Sequence, residues 1–404
     1  MNMPSRIVSA GIISPLILPI FSLIVFSIGA MEFMLSPMLR PLAEAFKTTT
    51  EQVTWLVSGY ALAYACAAPV WGWLSDQINR HTLLLVSLLF LAFDGLALTI
   101  APNLAIAIGL RIFGGIASAA LIPTTFAFVA DIFPPDKQAS AMGIVMFGMT
   151  AGIVSGPIFA GILTESFHWR VPFWLNATGC FLLFLLSKNL ILSKKNLPIQ
   201  VDVRKEKQTI TFQWIRQGNL IFPIIAKGFW NGTAVSAFIL SGEILRQHYG
   251  LGTKEIGISV STFGIGLGLG NLSVNTVKRL SISKECGLLL AIVLLFIASI
   301  LFMLMPFSLF FSLGCLTLWG CSLGFAAPVS TSILADRAKQ DKGQILAVSE
   351  SVNNLAILLF LPVATMLLTQ YGLVATTMML GSSLMIGIGL TLKDLISDSV
   401  TNMG

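Results

Sequence analysis

Five ionisable residues, Glu32, Asp94, Arg111, Lys227 and Glu350, stand inside long apolar stretches of this 404-residue chain. A charge in such surroundings needs a partner or water, and it is a functional candidate by default. A carboxylate there can take up and release a proton. An arginine stays charged and can only tune a neighbouring acid. Catalysis would ask for a cluster of His, Cys, Asp or Glu near one interface, and the chain offers none. His81, His168 and His248 are scattered at loop positions, which argues against a histidine metal centre. Cys66, Cys180, Cys286, Cys315 and Cys321 lie in or beside apolar runs without a CxxC spacing, as small core residues do. Neither cofactor nor metal is expected, and the chemistry these residues point to is proton carriage.

The elements that position them are membrane spans. Hydrophobic residues make up 55% of the chain and charged ones only 10%, against ~25% charge in a soluble protein. A bilayer core asks for ~20 apolar residues of helix. Twelve such segments can be drawn, at about 13–39, 52–75, 82–101, 103–130, 139–163, 171–192, 219–245, 254–277, 285–304, 307–334, 343–370 and 372–394. The first runs from beyond Arg6 to Leu39, too long for a signal-peptide core of about 7–15 residues. The fold class expected is all-α and integral to the membrane, with twelve transmembrane helices in two pseudo-symmetric six-helix halves. Residues 1–192 form the first half, the polar stretch 193–217 a linker, and 218–404 the second half.

Charge sets the orientation. With both termini and the linker on one side, that side collects most of the Lys and Arg. Arg40, Lys47, Arg170, Arg246 and Lys254 fall on the other. The basic side should be cytoplasmic, and the net charge of +6 reflects this bias and not a nucleic-acid partner. Trp71, Trp73, Trp169 and Trp174 suit anchoring at the two interfaces. The halves also look like distant copies offset by about 205 residues: Ala130-Asp131 resembles Ala335-Asp336, and Leu39-Arg40 resembles Leu245-Arg246. Related halves around a midplane site are a common plan of secondary transporters.

Glu32 and Asp94 each lie about seven residues, and Arg111 about eight, from the same side, so all three sit ~10–12 Å deep. Arg111 is expected to pair with Glu32, Asp94 or both. One of the two acids is expected to carry a proton, Glu32 ahead of Asp94. Glu350 shares a helix face with Asn353 and Asn354 that should look into the bundle, towards substrate or towards a neighbouring helix. Lys227, near the start of the seventh span, is expected to snorkel to the interface. Asn231, one turn deeper, is a cavity candidate. In the fifth span Gly148, Gly152 and Gly156 recur every four residues, followed by Pro157 and Gly161. Such a stripe admits another helix closely, as a packing seam or a pivot. The run Gly264 to Gly270 lies in a span without a flanking strand or P-loop Lys, which excludes phosphate binding.

The short charged hairpin Gly72-Trp73-Leu74-Ser75-Asp76-Gln77-Ile78-Asn79-Arg80-His81 between the second and third spans resembles the G-x-L-x-D-[RK]-x-G-[RK]-[RK] loop of the major facilitator superfamily. Gly72, Leu74, Asp76 and Arg80 match it; Gln77, Asn79 and His81 depart. Leu110-Arg111 and Gly115 are similar to that family's fourth-span motif. Gly143, Gly152, Gly156, Pro157 and Gly161 are similar to its fifth-span antiporter motif, with Ala160 in place of one Gly. Met31-Glu32-Phe33, Leu56 to Leu62 and Trp169-Arg170 resemble the twelve-span drug:proton antiporters, nearest the arabinose-efflux-permease-like branch.

The resemblance implies proton-coupled efflux of a small organic molecule, such as a drug, sugar or metabolite, by alternating access. The membrane implied is the bacterial inner membrane, and a monomer is the expected working unit. Asp76 and Arg80 would belong to a cytoplasmic latch, and Glu32, Asp94, Arg111, Glu350, Asn231 and Asn354 to the central cavity. The cavity wall would take Phe, Met and Leu from spans 1, 4, 7 and 10. A nutrient importer of the same fold is the alternative. A membrane sensor would need a soluble output domain, for which the short loops leave no room.

Overall fold

The computed structural model describes residues 16–74, 78–192, 218–279, 283–338 and 342–401. The described chain is helical throughout: α1 (Ile17–Phe33), α2 (Leu35–Ala45), α3 (Thr50–Val53), α4 (Trp55–Leu74), α5 (Arg80–Ile100), α6 (Leu104–Ile132), α7 (Pro135–Ser166), α8 (Val171–Leu192), α9 (Gly218–Lys227), a π-turn (Gly228–Gly232), α10 (Thr233–Tyr249), α11 (Thr253–Arg279), α12 (Lys284–Leu304), α13 (Leu309–Arg337), α14 (Lys342–Gln370) and α15 (Gly372–Thr401). Ten of these elements are long and apolar enough to cross a membrane, and α1 with α2 makes an eleventh, bent by 55°. The twelfth is α9, the π-turn and α10, which follow one another with helical backbone angles at Lys227, Gly232 and Thr233.

Local chemistry accounts for the breaks. Pro37 has no N–H and its ring opposes the carbonyl four residues back. That residue is Phe33, where α1 ends and the chain bends. The second span starts with Thr49 as cap, its hydroxyl accepting the Gln52 amide at 3.2 Å, with Glu51 in the first turn. Asn103 caps α6 in the same way through the Ile106 amide at 2.9 Å. Pro157 does not break α7, which runs unbroken from Pro135 to Ser166.

The two halves repeat one packing scheme. α1 lies on α7, as the seventh span lies on α14. α4 lies on α6 and α5 on both α6 and α8, just as α11 lies on α13 and α12 on both α13 and α15. Between the halves, α4 meets α14 and α7 meets α11, which are again equivalent pairs. The axis relating them passes close to Phe33 and Ser36. Phe33 packs against Phe238 in a tilted pair, 5.2 Å between ring centroids. The Ser36 and Ser241 hydroxyls lie 3.5 Å apart across a separation of 205 positions. Residues that are copies of one another and also touch are what a pseudo-two-fold axis produces.

Glycine and alanine make this packing possible, since lipid supplies no hydrophobic drive between spans. Added Cβ atoms at Gly148 and Gly152 would strike the Ser22 and Phe26 carbonyl oxygens, and one at Gly156 would come within 2.7 Å of the Ala30 Cα. The stripe of the fifth span therefore receives α1. The second glycine run faces two ways: Gly266 and Gly270 lie against Thr317 and Cys321 of α13, while Gly264 and Gly268 lie against Val154 and Thr150 of α7.

Three of the four tryptophans expected at the interfaces lie near helix ends and also contact neighbouring helices, while the side chain of Trp73 lies outside those described. Trp71 donates its indole N–H to the Ile116 carbonyl at 3.0 Å, and Trp174 donates to the Thr99 hydroxyl at 3.0 Å. Trp169 is buried between Phe46 and Phe173. These contacts join helices to one another and leave Trp174 46% exposed, an apolar ring with a satisfied N–H. The linker 193–217 and the loop residues Lys339 to Asp341 lie outside the described residues.

Candidate functional site

Asp94 stands six residues before the end of α5, and Arg111 stands two turns into α6. The turn between the helices is short, and the Asn103 cap fixes where α6 begins, so the two residues arrive at one depth. Arg111 Nη1 donates to Asp94 Oδ2 at 2.5 Å, with side chains 1% and 0% exposed. Gly114, one turn beyond Arg111, makes room for the acid: a Cβ there would fall on the Asp94 carboxylate. The guanidinium also lies over the Tyr60 ring of α4, 4.8 Å from its centre, a favourable contact for a desolvated cation. Arg111 Nε and Asp94 Oδ1 are buried without a hydrogen bond. Between the two permitted partners, the structure thus selects Asp94.

Glu32 occupies the last turn of α1 and forms no ion pair among the described residues. It lines a slot with Phe33, Leu35, Val57, Tyr60, Ala61, Arg111, Val235, Ile239, Asn354 and Ile357. These residues come from both halves. The slot is almost closed, with about 10 Å³ of free volume, close to the least that holds one water. The expected wall differs in detail: spans 2 and 11 contribute where span 10 was expected, and Val, Ile and Ala take the place of Met. The slot lies where α4 crosses α14, which brings those two helices to its wall. A larger cavity, of about 450 Å³, is elsewhere. It is a shallow depression at one end of the bundle, bounded by Arg40, Glu44, Arg246 and Gly250 to Thr253, and it contains none of the embedded charges.

Lys227 does not snorkel. It is 2% exposed, and its Nζ donates to Glu350 Oε1 at 2.7 Å and to Thr331 Oγ1 at 3.3 Å. The reason is the residue after it: the π-turn Gly228–Gly232 brings the seventh span hard against α14. A Cβ at Gly228 would come within 2.7 Å of Val352, and one at Gly232 within 2.5 Å of Ala356. With the backbones that close, the lysine reaches Glu350 before it can reach an interface. π-turns are frequent at functional sites, and no local sequence signal marked this one. Asn231 lies within it, buried but not on the slot wall. Asn354 is on the wall, and its amide donates to the Glu350 carbonyl at 3.0 Å. Asn353 Oδ1 is buried without a partner.

The fifth-span residues divide between two neighbours. Gly148, Gly152 and Gly156 hold α1, whereas Pro157 and Gly161 face the other half. A Cβ on Gly161 would come within 2.7 Å of the Thr253 carbonyl oxygen and 3.1 Å of the Gly257 Cα. Hydrogen bonds between the halves gather at this same end of the bundle. The Lys254 amide donates to Glu165 at 2.8 Å, Thr369 donates to Glu51 at 3.3 Å, and Ser36 donates to the Phe238 carbonyl at 3.2 Å. At the hairpin, Gly72 falls within α4. Arg80 opens α5 and donates to the Ala127 carbonyl at 3.4 Å. Asp76 lies outside the described residues.

This arrangement has counterparts among known proteins. The chain is 30% identical over 254 residues to the uncharacterized MFS-type transporter YceJ of Bacillus subtilis (strain 168), covering 63% of this chain and 64% of YceJ, less than two thirds of that relative's length. It is 32% identical over 137 residues to the multidrug resistance protein B homolog of Mycobacterium tuberculosis (strain ATCC 25618 / H37Rv), covering 34% of this chain and 25% of that one. In fold it is similar to the crystal structure of a bacterial homolog of the human lysosomal transporter Spinster, in an inward-facing and occupied conformation. The TM-score is 0.64 at 16% identity, over 93% of this chain and 94% of that one. The sequence profile of the Major Facilitator Superfamily matches residues 21–361. With twelve spans, paired halves and an embedded charge cluster at their seam, this chain belongs to the Major Facilitator Superfamily, a family of membrane transporters.

Proposed function

We propose that this protein is a proton-coupled exporter of small organic molecules and that Glu32 carries the proton. One observation carries this reading: of the five embedded charges, Glu32 alone lacks a counter-ion among the described residues, and it lies in an apolar slot shared by both halves. An unpaired carboxylate in such a place is stable when protonated and costly when ionised, so it binds a proton when water reaches it and yields it where substrate or a cation arrives. Asp94 serves as the fixed partner of Arg111 and keeps the guanidinium from closing on Glu32.

In this reading the end bearing Glu51, Glu165 and Thr369 is the outer face, and the state described is closed there. Both termini, the linker 193–217 and the hairpin with Asp76 and Arg80 are cytoplasmic, with the hairpin as the latch of the opposite state. The two halves, 1–192 and 218–404, rock about the seam within a single chain in the bacterial inner membrane. The efflux direction draws support from the antiporter-like spacing of Gly152, Gly156, Pro157 and Gly161 and from the partial match to a protein named for multidrug resistance.

The test has two steps. Profiling of metabolites and drugs in a deletion strain, against its complement, names an accumulating compound. That compound is then followed in proteoliposomes under an imposed pH gradient. Wild-type protein should drive its exchange against protons and Glu32→Gln should not. Full proton coupling in Glu32→Gln removes Glu32 as the carrier.

A further inference from the structure

Charge accounting around the seam gives a role to the one embedded cation that proton carriage does not use. Arg111 cancels Asp94 and Lys227 cancels Glu350. Glu350 is nevertheless 41% exposed, and its second oxygen is not engaged by Lys227. It stands one helical turn before Asn354, which lines the Glu32 slot and donates to the Glu350 carbonyl, so it faces the same central space as the proposed carrier. The charged and titratable groups that share the slot with Glu32 are Arg111 of α6 and Tyr60 of α4, with Glu350 one turn along α14 from the wall residue Asn354. The site for the ammonium is built from acceptors: Thr331 gives its own hydrogen to the Ala327 carbonyl at 2.9 Å, which leaves its oxygen lone pairs for Lys227. The pair itself is set by the close approach of the π-turn to α14.

We propose that Lys227 fixes the number of protons this carrier loads at one, by holding Glu350 in a permanent ion pair and so withholding a second acid from the central space. The inference rests on the reading of Glu32 as the proton carrier. It makes Lys227 a residue that sets specificity, in charge stoichiometry, through Glu350. Without the ammonium, Glu350 becomes a second carboxylate in the central space with no counter-ion, open to the solvent there and free to take up a proton. A purely structural pair would pin α9 to α14 and its loss would weaken the fold, but it would add no proton site.

The experiment needs no substrate. The full chain is reconstituted in lipid bilayers, and protonated carboxyl groups are followed by infrared spectroscopy as pH is varied. Wild type should show one titrating embedded carboxyl band, absent in Glu32→Gln. Lys227→Met should show about twice that amplitude, and Lys227→Met/Glu350→Gln should return to the wild-type amplitude. A Lys227→Met spectrum with the wild-type amplitude overturns the proposal, as does loss of the wild-type band in Glu350→Gln. Persistence of the band in Glu32→Gln would instead defeat the assignment of the carrier, while the comparison at Lys227 still counts added protons. Should Lys227→Met fail to fold, the reversed pair Lys227→Glu/Glu350→Lys carries the test. It keeps a single band if pairing sets the count, and a doubled band overturns the proposal.

Discussion

Replacing Asp94 by Asn should destabilise the protein by about 3–5 kcal/mol, the usual cost of removing one partner from a buried ion pair. The structure supports a value of that size. Both side chains are essentially unexposed, and the nearest N–O separation is 2.5 Å. Charges ~4 Å apart at an effective dielectric of ~20 attract by about 4 kcal/mol. Arg111 retains its contact with the Tyr60 ring at 4.8 Å, which is common to both proteins and leaves the difference between them unchanged. A neutral amide can still accept one hydrogen bond from the guanidinium, so the lower half of the range is expected. The freed cation also has a new partner within the slot, Glu32, and the Asp94→Asn protein should therefore lose proton exchange while keeping every residue of the proposed carrier site. The assay is reversible unfolding in mixed micelles, with a double-mutant cycle through Arg111→Met. The double variant should recover most of the lost stability, because an uncharged pair leaves no orphaned ion. A single variant within about 1 kcal/mol of wild type, or a double variant no better than the single, would refute the reasoning.

Two further outcomes follow from close contacts. Gly114→Ala places a methyl group on the Asp94 carboxylate and should cost about 1–3 kcal/mol by overpacking, in the same unfolding assay; an unchanged protein would mean that the acid has room to move. Gly161→Val adds bulk where the Thr253 carbonyl and Gly257 leave none. It should spread the halves at that end, seen as a longer distance between spin labels at the exposed positions Phe167 and Gln247, whereas an unaltered distance would show that α7 and α11 can yield without separating.

The number and order of spans were legible because a bilayer imposes length and polarity on every segment separately. Depth was legible for the same reason: counting residues from a span end put Glu32, Asp94 and Arg111 at one level. Azimuth was not. A count along a helix does not say which way its side chain turns once neighbours impose their packing, so Arg111 had two equally deep candidates, and only the α5–α6 contact chose Asp94. Lys227 failed for a related reason. Its position near a span end suggested an escape to the interface, but its partner lies 123 positions away. The π-turn that delivers it depends on Gly228 and Gly232 meeting Val352 and Ala356, a meeting written in neither segment alone. The bend in the first span, by contrast, was present in the sequence as Pro37 and needed only the four-residue rule to place it at Phe33.

The glycine stripe of α7 gains a meaning from its two neighbours that its spacing alone did not give. On one face it meets the backbone of α1 at Ser22, Phe26 and Ala30, the last of these two residues before Glu32. Towards its end it meets the backbone of α11 through Pro157, Gly161 and Gly257. Backbone-to-backbone contact leaves no flexible side chain to absorb a displacement, and packed interiors yield little. One unbroken helix therefore touches both the helix that bears the unpaired acid and the opposite half of the protein. If the halves rock about the Gly161–Gly257 crossing, α7 must carry that motion to α1 almost undiminished, and the slot around Glu32 opens or closes with it. A side chain larger than hydrogen at Gly152 would insert a spacer into that transmission, so under the proposed mechanism the spacing of these glycines would bear on coupling as well as on packing.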